Sequence, residues 1–491
     1  MLSLLVVGAL LALALLLLVA PWKKKKQLNL PPGPAPWPLV GNLLQLDKYE
    51  PHATLMQLRE IYGDVFTVYL GMQPAVVLCG YDTLKEAFLG QADDFGGRAI
   101  LPVFERLTKG QGVVFANDEH WMQHRKLSLA LLRNFGMGKH SLEEHVLTEA
   151  GLLAEFFGNK TRTPFDPMTR ITAAVANTTC TVLFGDRFDT EDERFLTQLG
   201  IAIETFAYWG TQEFQLYNAF PSVVKRLPGT HIKMFENAEI LHAFLREQIE
   251  NHAITRQPDC PRDFIDSFLN KIDEEAKYPN THFTLESLDN TIFNLFIAGT
   301  VATSVSLHWA IKLMLKYPEI QEKVQKEIDD VLGPHRSPSM EDRLHLPYTD
   351  AVIHEIQRYA NLLPTSLPHA ALHEIKFKGY TIPKGTPVIQ LLQSALQDKK
   401  YWDDPEKFNP NRFLDKDRKF KKNEANIPFS AGKRVCLGES MAKMEIFLIF
   451  VTLLKKFSFN VPTGESNRIE LIGGGIRILK PYNIHIEPRD L

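Results

Sequence analysis

The 491-residue sequence predicts a mainly α-helical fold with a small β region, set behind a single N-terminal transmembrane helix. Three observations carry that expectation. Long apolar stretches with helical spacing dominate the middle of the chain, NTIFNLFIAGTVATSVSLHWAIKLML among them. Strand-like runs are short and scattered: GDVFTVYLGMQPAVVLCG (63–80) predicts a hairpin broken at Gly71 and Pro74, and IKFKGYTIPKGTPVIQ (375–390) and GGIRILKPYNIHIE near the C-terminus predict further strands. The first 22 residues, MLSLLVVGALLALALLLLVAPW, carry no charge, and about 20 apolar residues suffice for a helix to cross a bilayer.

Taken in order, residues 1–22 read as an uncleaved membrane anchor rather than a signal peptide, which would show a basic leader and a shorter apolar core. Lys23 to Lys26 follow directly, and the positive-inside rule then places the body on the cytosolic side. Sequons at Asn159 and Asn177 would favour a lumenal body, but such triplets arise often by chance. Residues 23–42 form a basic and proline-rich hinge, LPPGPAPWPLVGN, expected to be an extended strut without regular hydrogen bonding. Residues 43–491 read as one interwoven body, because the strand segments come from both ends of the chain and no repeat or low-complexity tract divides it.

Composition narrows the function. A hydrophobic content of 45% builds a large core, and a net charge of -3 from 55 basic and 58 acidic residues argues against nucleic acid as a partner. The four cysteines, Cys79, Cys180, Cys260 and Cys436, lie far apart without zinc-site spacing, which suits a reducing compartment.

Chemistry concentrates in IPFSAGKRVCLGES, residues 427–440. Gly432 and Gly438 bracket Cys436, Lys433 and Arg434 precede it, and a helical pattern follows at once. A cysteine at such a loop-to-helix junction faces backbone amides and a helix dipole, which lower its pKa and favour the thiolate; the alternative is an inert buried cysteine.

The stretch FSAGKRVCLG resembles the haem-binding loop of the cytochrome P450 superfamily, in which a phenylalanine (Phe429 here), two glycines, an arginine and the cysteine recur at this spacing. The resemblance implies a haem b (iron protoporphyrin IX) cofactor held by Phe429, Gly432, Arg434, Gly438 and Cys436, with Cys436 the axial thiolate on the haem iron. Three further segments match in order. EIQR, with Glu355 and Arg358 at i, i+3, and PNRF, with Arg412, resemble the trio that supports the loop. WMQHR places Trp121 and Arg125 where the family contacts a haem propionate, and His369 in LPTSLPHA stands where a second propionate partner falls. Among the family's branches, LRNFGMGKHSLEE, KYPEIQEKVQKEID and PYTDAVIHEIQR resemble the vertebrate microsomal group called family 2.

That resemblance implies the P450-like helical prism, a place in the endoplasmic reticulum membrane with the catalytic domain on the cytosolic face, and a lipophilic substrate. It also implies electrons from an NADPH-dependent flavin reductase, with cytochrome b5 as a further candidate partner. A positive face from Arg125, Lys126, Lys433 and Arg434 is expected to attract an acidic reductase. The substrate pocket is expected near 103–114, 206–214, 293–297, 362–367 and 473–476.

One stretch departs from the family. AGTVATS resembles the centre of the helix that crosses the haem, where Ala298 and Gly299 widen a groove for dioxygen. The family follows with an acid and a threonine that relay protons; this chain has Val301 and Ala302, flanked by Thr300 and Thr303, neither of which shares the direction of Ala302. A monooxygenase is the reading the resemblance favours. The missing pair leaves a haem-thiolate isomerase, dehydratase or peroxide-dependent enzyme as the alternative, and a haem-binding protein without turnover as a third.

Overall fold

The computed structural model describes residues 29–138 and 140–489. The expected anchor over 1–22 and the lysines from 23 to 26 lie outside the described residues. The longer helices are α1 (Pro51–Tyr62), α2 (Asp118–Asn134), α3 (His140–Gly158), α4 (Met168–Phe184), α5 (Glu193–Tyr208), α6 (Thr230–Thr255), α7 (Phe264–Glu275), α8 (Leu285–Lys316), α9 (Pro318–Leu332), α10 (Pro347–Ala360) and α11 (Glu439–Lys456).

Helix α8 is the axis of the body. Its 32 residues span about 48 Å. The start is fixed by a capping box: Thr284 Oγ1 accepts from the Ser287 amide at 3.1 Å, and Ser287 Oγ accepts from the Thr284 amide at 2.9 Å. It stops at Tyr317 because Pro318 opens α9, and a residue before proline is pushed out of the helical region. By length and composition α8 would cross a membrane, yet α4, α5, α6, α10 and α11 pack around it and bury most of its side chains. It is therefore the core of the main apolar cluster, which joins Phe296, Val301, Val305 and Trp309 to residues of those neighbours.

The β region comprises a five-stranded sheet in the order β1 (Val65–Leu70), β2 (Gln73–Leu78), β7 (Pro387–Gln390), β4 (His369–Ala370), β3 (Gly97–Arg98), and the pairs β5 (Ile375–Phe377) with β6 (Tyr380–Ile382) and β8 (Phe457–Asn460) with β9 (His485–Pro488). The expected hairpin is β1–β2, antiparallel with Leu70 opposite Gln73, so Gly71 and Met72 turn the chain while Pro74 sits inside β2 opposite Tyr69. The main sheet combines 65–98 with 369–390, β2 and β7 running parallel. The expectation that it would also include the C-terminal strand is corrected: β9 pairs only with β8, which directly follows α11.

The proline-rich segment also differs from the expected free strut. Pro31 and Pro32 carbonyls accept from Thr67 Oγ1 at 2.9 Å and the Thr67 amide at 2.8 Å, and Asn42 Oδ1 accepts from the Tyr69 amide at 2.7 Å. Gly33 lies so close to β1 that an added Cβ would stand 1.9 Å from the Thr67 carbonyl oxygen. Prolines cannot complete a ladder, but their carbonyls accept, and residues 31–42 are fastened to β1 as part of the body.

Candidate active site

Cys436 lies between the loop 427–435 and α11, whose N-cap is Gly438. The loop is pinned by the Cys436 amide donating to the Phe429 carbonyl at 3.0 Å and the Val435 amide donating to the Gly432 carbonyl at 3.1 Å. Gly432 has φ +82°, and an added Cβ would stand 2.1 Å from the Phe88 carbonyl oxygen, so this glycine is demanded by the backbone behind the loop. A Cβ on Gly438 would meet nothing within 4 Å.

Burial pushes the Cys436 thiol above its ordinary range, against the Gly438 N–H and the charges of Arg125 and Lys443. The lowered pKa expected from the helix dipole is thereby corrected: desolvation outweighs the dipole. Although dense protein surrounds it, Cys436 keeps exposed surface. The same holds for Ala298, exposed in the middle of the enclosed helix α8, with Leu295, Ala302 and Ser306 half-buried on the same helical face. Cys436 and this face of α8 thus keep open surface among largely buried neighbours in sequence.

The AGTVATS stretch divides its residues between two directions. Ala298 and Ala302 are the open ones. Gly299 serves helix packing instead of widening a groove: an added Cβ would stand 2.8 Å from Thr179 Oγ1 on α4. Val301 is sealed in the apolar core. Thr300 is fully buried with an unpartnered hydroxyl, and Thr303 hydrogen-bonds Glu445 on α11. Glu445, which the sequence reading passed over, is buried so completely that its carboxyl pKa is pushed well above the usual carboxylate range.

Beside the Cys436 loop, three arginines gather without a carboxylate. Arg434 donates from Nε to the Gly96 carbonyl at 2.8 Å and from Nη2 to the Ala116 carbonyl at 2.8 Å, with its guanidinium carbon 3.7 Å from the centre of the Trp121 ring. Arg125, one turn from Trp121 on α2, donates to the Val435 carbonyl at 2.7 Å. Arg98 was not foreseen from the sequence. It donates to the Val114 and Leu367 carbonyls at 3.3 and 2.9 Å, and β3–β4 pairing sets it opposite His369. Burial and the neighbouring cations lower the guanidinium pKa of Arg98 to about 9 and of Arg434 to about 8. His369 approaches the Phe95 carbonyl through Nδ1 at 3.1 Å, and burial holds its pKa well below the ordinary value.

Among the described residues none of these arginines has an acidic partner within ion-pair distance. Arg434 Nη1, Trp121 Nε1 and His369 Nε2 have no hydrogen-bond partner at all. Buried like charges with spare donors call for an anion, and two carboxylates beside a flat apolar ring system supply it. The residues present therefore fit a haem: Arg98, Trp121, Arg125, His369 and Arg434 could take its carboxylates, and Cys436 offers a sulfur to its iron.

Glu355 and Arg358 on α10 are essentially inaccessible to solvent. Arg358 donates to both Glu355 oxygens at 2.7 and 2.8 Å, and Arg412 Nε and the Asn409 amide reach Glu355 Oε1 at 3.1 and 2.8 Å. The two sequence segments EIQR and PNRF thus meet in one buried knot.

The expected positive face needs correction. Arg434 is buried and Arg125 turns inward to the cysteine loop, while Lys433 is paired with Asp93; Lys126 is exposed. Two of the four expected surface charges, Arg125 and Arg434, thus serve the interior instead. Of the expected pocket segments, contacts join 113–114 to Asn294, 210 to 474–476, and 362 to 477. Phe104 and Phe115 stack at 3.6 Å, and Trp209 stands edge-on to Phe104 at 5.1 Å. Within the expected segment 293–297, Phe293 stacks on His242 and Phe296 packs near Phe184 and Phe244.

Residues 31–486 match the family described as Cytochrome P450. This chain belongs to the cytochrome P450 family. It is 46% identical over 475 residues to cytochrome P450 2C23 of Rattus norvegicus, covering 96% of each chain. It is also 47% identical over 456 residues to cytochrome P450 2B2 of Rattus norvegicus, covering 93% of each. Against cytochrome P450 2C8 of Homo sapiens the figure is 44% over 449 residues, 91% of this chain and 92% of the other. As a cytochrome P450 the chain is an oxidoreductase of the monooxygenase type, and the family implies a haem-thiolate centre.

Proposed function

We propose that this cytochrome P450 oxidises lipophilic small molecules, such as xenobiotics, fatty acids or steroids, at the cytosolic face of the endoplasmic reticulum membrane, using haem b and electrons from NADPH through a flavin reductase. The observation that carries the reading is the group of buried arginines beside the Cys436 loop that lack an anion, with Cys436 itself and the Ala298 and Ala302 face of α8 left open.

In this reading Cys436 Sγ ligates the iron, while Arg98, Trp121, Arg125, His369 and Arg434 hold the carboxylates and fix the orientation of the ring. When bound, the haem supplies reductive activation of dioxygen and transfer of one oxygen atom to substrate. Ala298 and Ala302 would leave room for dioxygen and substrate, and the knot of Glu355, Arg358 and Arg412 would brace the fold that carries the cysteine loop. The aromatic group of Phe104, Phe115 and Trp209 favours apolar, uncharged guests.

The test is reconstitution in vesicles with reductase, NADPH and a panel of lipophilic compounds under isotopically labelled dioxygen. One labelled oxygen atom in product, dependent on NADPH and reductase, is the expected result. Conversion by hydroperoxide alone, with no NADPH-dependent product, would replace this reading with the peroxide-dependent one.

A further inference from the structure

Three histidines outside the haem region form a cluster that the monooxygenase chemistry does not use. His120 and His124 are one turn apart on α2, and their rings stack at 4.0 Å with 17° between planes. The ring of His282, from the segment between α7 and α8, stands edge-on to His120 at 5.5 Å. His124 is fully buried against Phe268 and Phe283, whereas His120 and His282 keep part of their surface exposed.

The hydrogen bonding of His124 leaves one ring nitrogen free. Its Nδ1 lies 2.8 Å from the His120 carbonyl, one turn back, so the N–H sits on Nδ1 and the lone pair on Nε2. Metal-binding histidines are commonly held in this way, with the second ring nitrogen donating to a carbonyl. Nε2 of His124 and Nε2 of His120 are both closed to solvent and have no partner. Burial and mutual proximity hold both rings at a pKa of about 4, so at neutral pH no proton competes for the lone pairs.

A second group of ligating side chains is instructive by contrast. His252, Asp263 and Asp266 bring their ligand atoms within 4.8 Å of one another. Every one of them is already engaged: His252 Nε2 with Asp263 at 2.9 Å, Asp263 Oδ1 with the Asp266 amide at 2.9 Å, and Asp266 with both the Nε and Nη2 of Arg262 at 2.7 and 3.0 Å. That knot ties the end of α6 to the start of α7. The three histidines differ in that Nε2 of His120 and of His124 have no partner, and their rings lie close together, although the three sets of ring nitrogens do not meet within 4.8 Å without a turn of the His120 and His282 rings.

We propose that His120, His124 and His282 form a binding site for a divalent transition metal ion, Zn²⁺ by the borderline-soft character of three imidazoles, with water as the fourth ligand. Occupancy joins α2, which also carries Trp121 and Arg125, to the segment that precedes α8.

The experiment uses the haem-loaded full chain without a polyhistidine tag. Zn²⁺ is titrated against a chromophoric chelator, and the loaded protein is measured by zinc K-edge absorption, which haem iron does not obscure. One Zn²⁺ per chain with imidazole scattering and affinity at least tenfold weaker in both His120→Ala and His282→Ala is expected. Both substitutions lie at partly exposed positions, so loss of the fold does not intervene, and an unchanged carbon monoxide spectrum checks this. Equal affinity in wild type and both variants, or a zinc shell of sulfur or carboxylate, would overturn the proposal.

Discussion

Replacing Glu355 by alanine is the sharpest structural perturbation available near the site. The carboxylate is inaccessible to solvent and accepts from Arg358 twice, from Arg412 and from the Asn409 amide. Its removal leaves two guanidinium groups facing a cavity, and only backbone carbonyls remain to serve them: Leu396, Pro405 and Lys407 for Arg358, and Asp403, Asp404 and Lys407 for Arg412. Removing one partner of a buried ion pair costs about 3–5 kcal/mol. Against a typical total stability of about 5–15 kcal/mol, that is enough to leave much of the chain unfolded or unable to retain haem at physiological temperature. Glu355→Gln keeps the shape and one acceptor oxygen and should fall between wild type and alanine. The assay is denaturant unfolding followed by fluorescence, with the haem-to-protein absorbance ratio read in parallel. A loss below about 1 kcal/mol for Glu355→Ala, with full haem retention, would refute the assignment of this knot as the brace of the cysteine loop.

Arg98→Gln should weaken haem binding by about 10- to 100-fold, the loss of one charge-assisted hydrogen bond of about 1.5–3 kcal/mol, while making the haem-free protein more stable by relieving its repulsion with Arg125 and Arg434; haem transfer and apoprotein melting separate the two effects. Acid should destabilise the protein between pH 6.5 and 4, because buried His52 and His124 hold pKa values of about 4 and His308 about 3, so the unfolded chain binds more protons there. Each such group adds a slope approaching about 1.4 kcal/mol per pH unit, stability rising with pH and levelling above 6.5, as denaturant titrations from pH 4 to 8 would measure; a flat profile contradicts it. Ala302→Thr places a hydroxyl on the open face of α8 and should raise product formed per NADPH and lower peroxide release, general acid-base groups contributing about 100-fold or more to their steps. Val301→Glu should instead cost stability, since it buries a carboxyl in the apolar core.

What was legible in the sequence was local. The spacing around Cys436, the apolar run of α8 and the hairpin at 65–78 depend on neighbours within one or two turns, and composition and periodicity reveal them. Glu355, Arg358 and Arg412 were also within reach, although their union needs residues 57 apart to meet. Arg98 was invisible because its place depends on a two-residue strand opposite His369 and on the Leu367 carbonyl 269 residues further along. Gly299 was misread for a similar reason: only the packing of α4 shows that Thr179 occupies the space its missing side chain leaves. Charge was the least legible property. Arg434 is as basic as Lys433 on the page, but one is folded into the interior and the other lies at the surface.

The central claim is that Cys436 is the sulfur ligand of the haem iron. It is tested most directly by the absorption spectrum of the reduced protein under carbon monoxide, recorded for wild type and Cys436→Ala at equal haem loading, with Cys79→Ala as the control because Cys79 is buried and its thiol is pushed up to about 12. The account predicts the red-shifted band of a thiolate ligand in wild type and in Cys79→Ala, and its complete absence in Cys436→Ala. Persistence of that band without the Cys436 sulfur would contradict it.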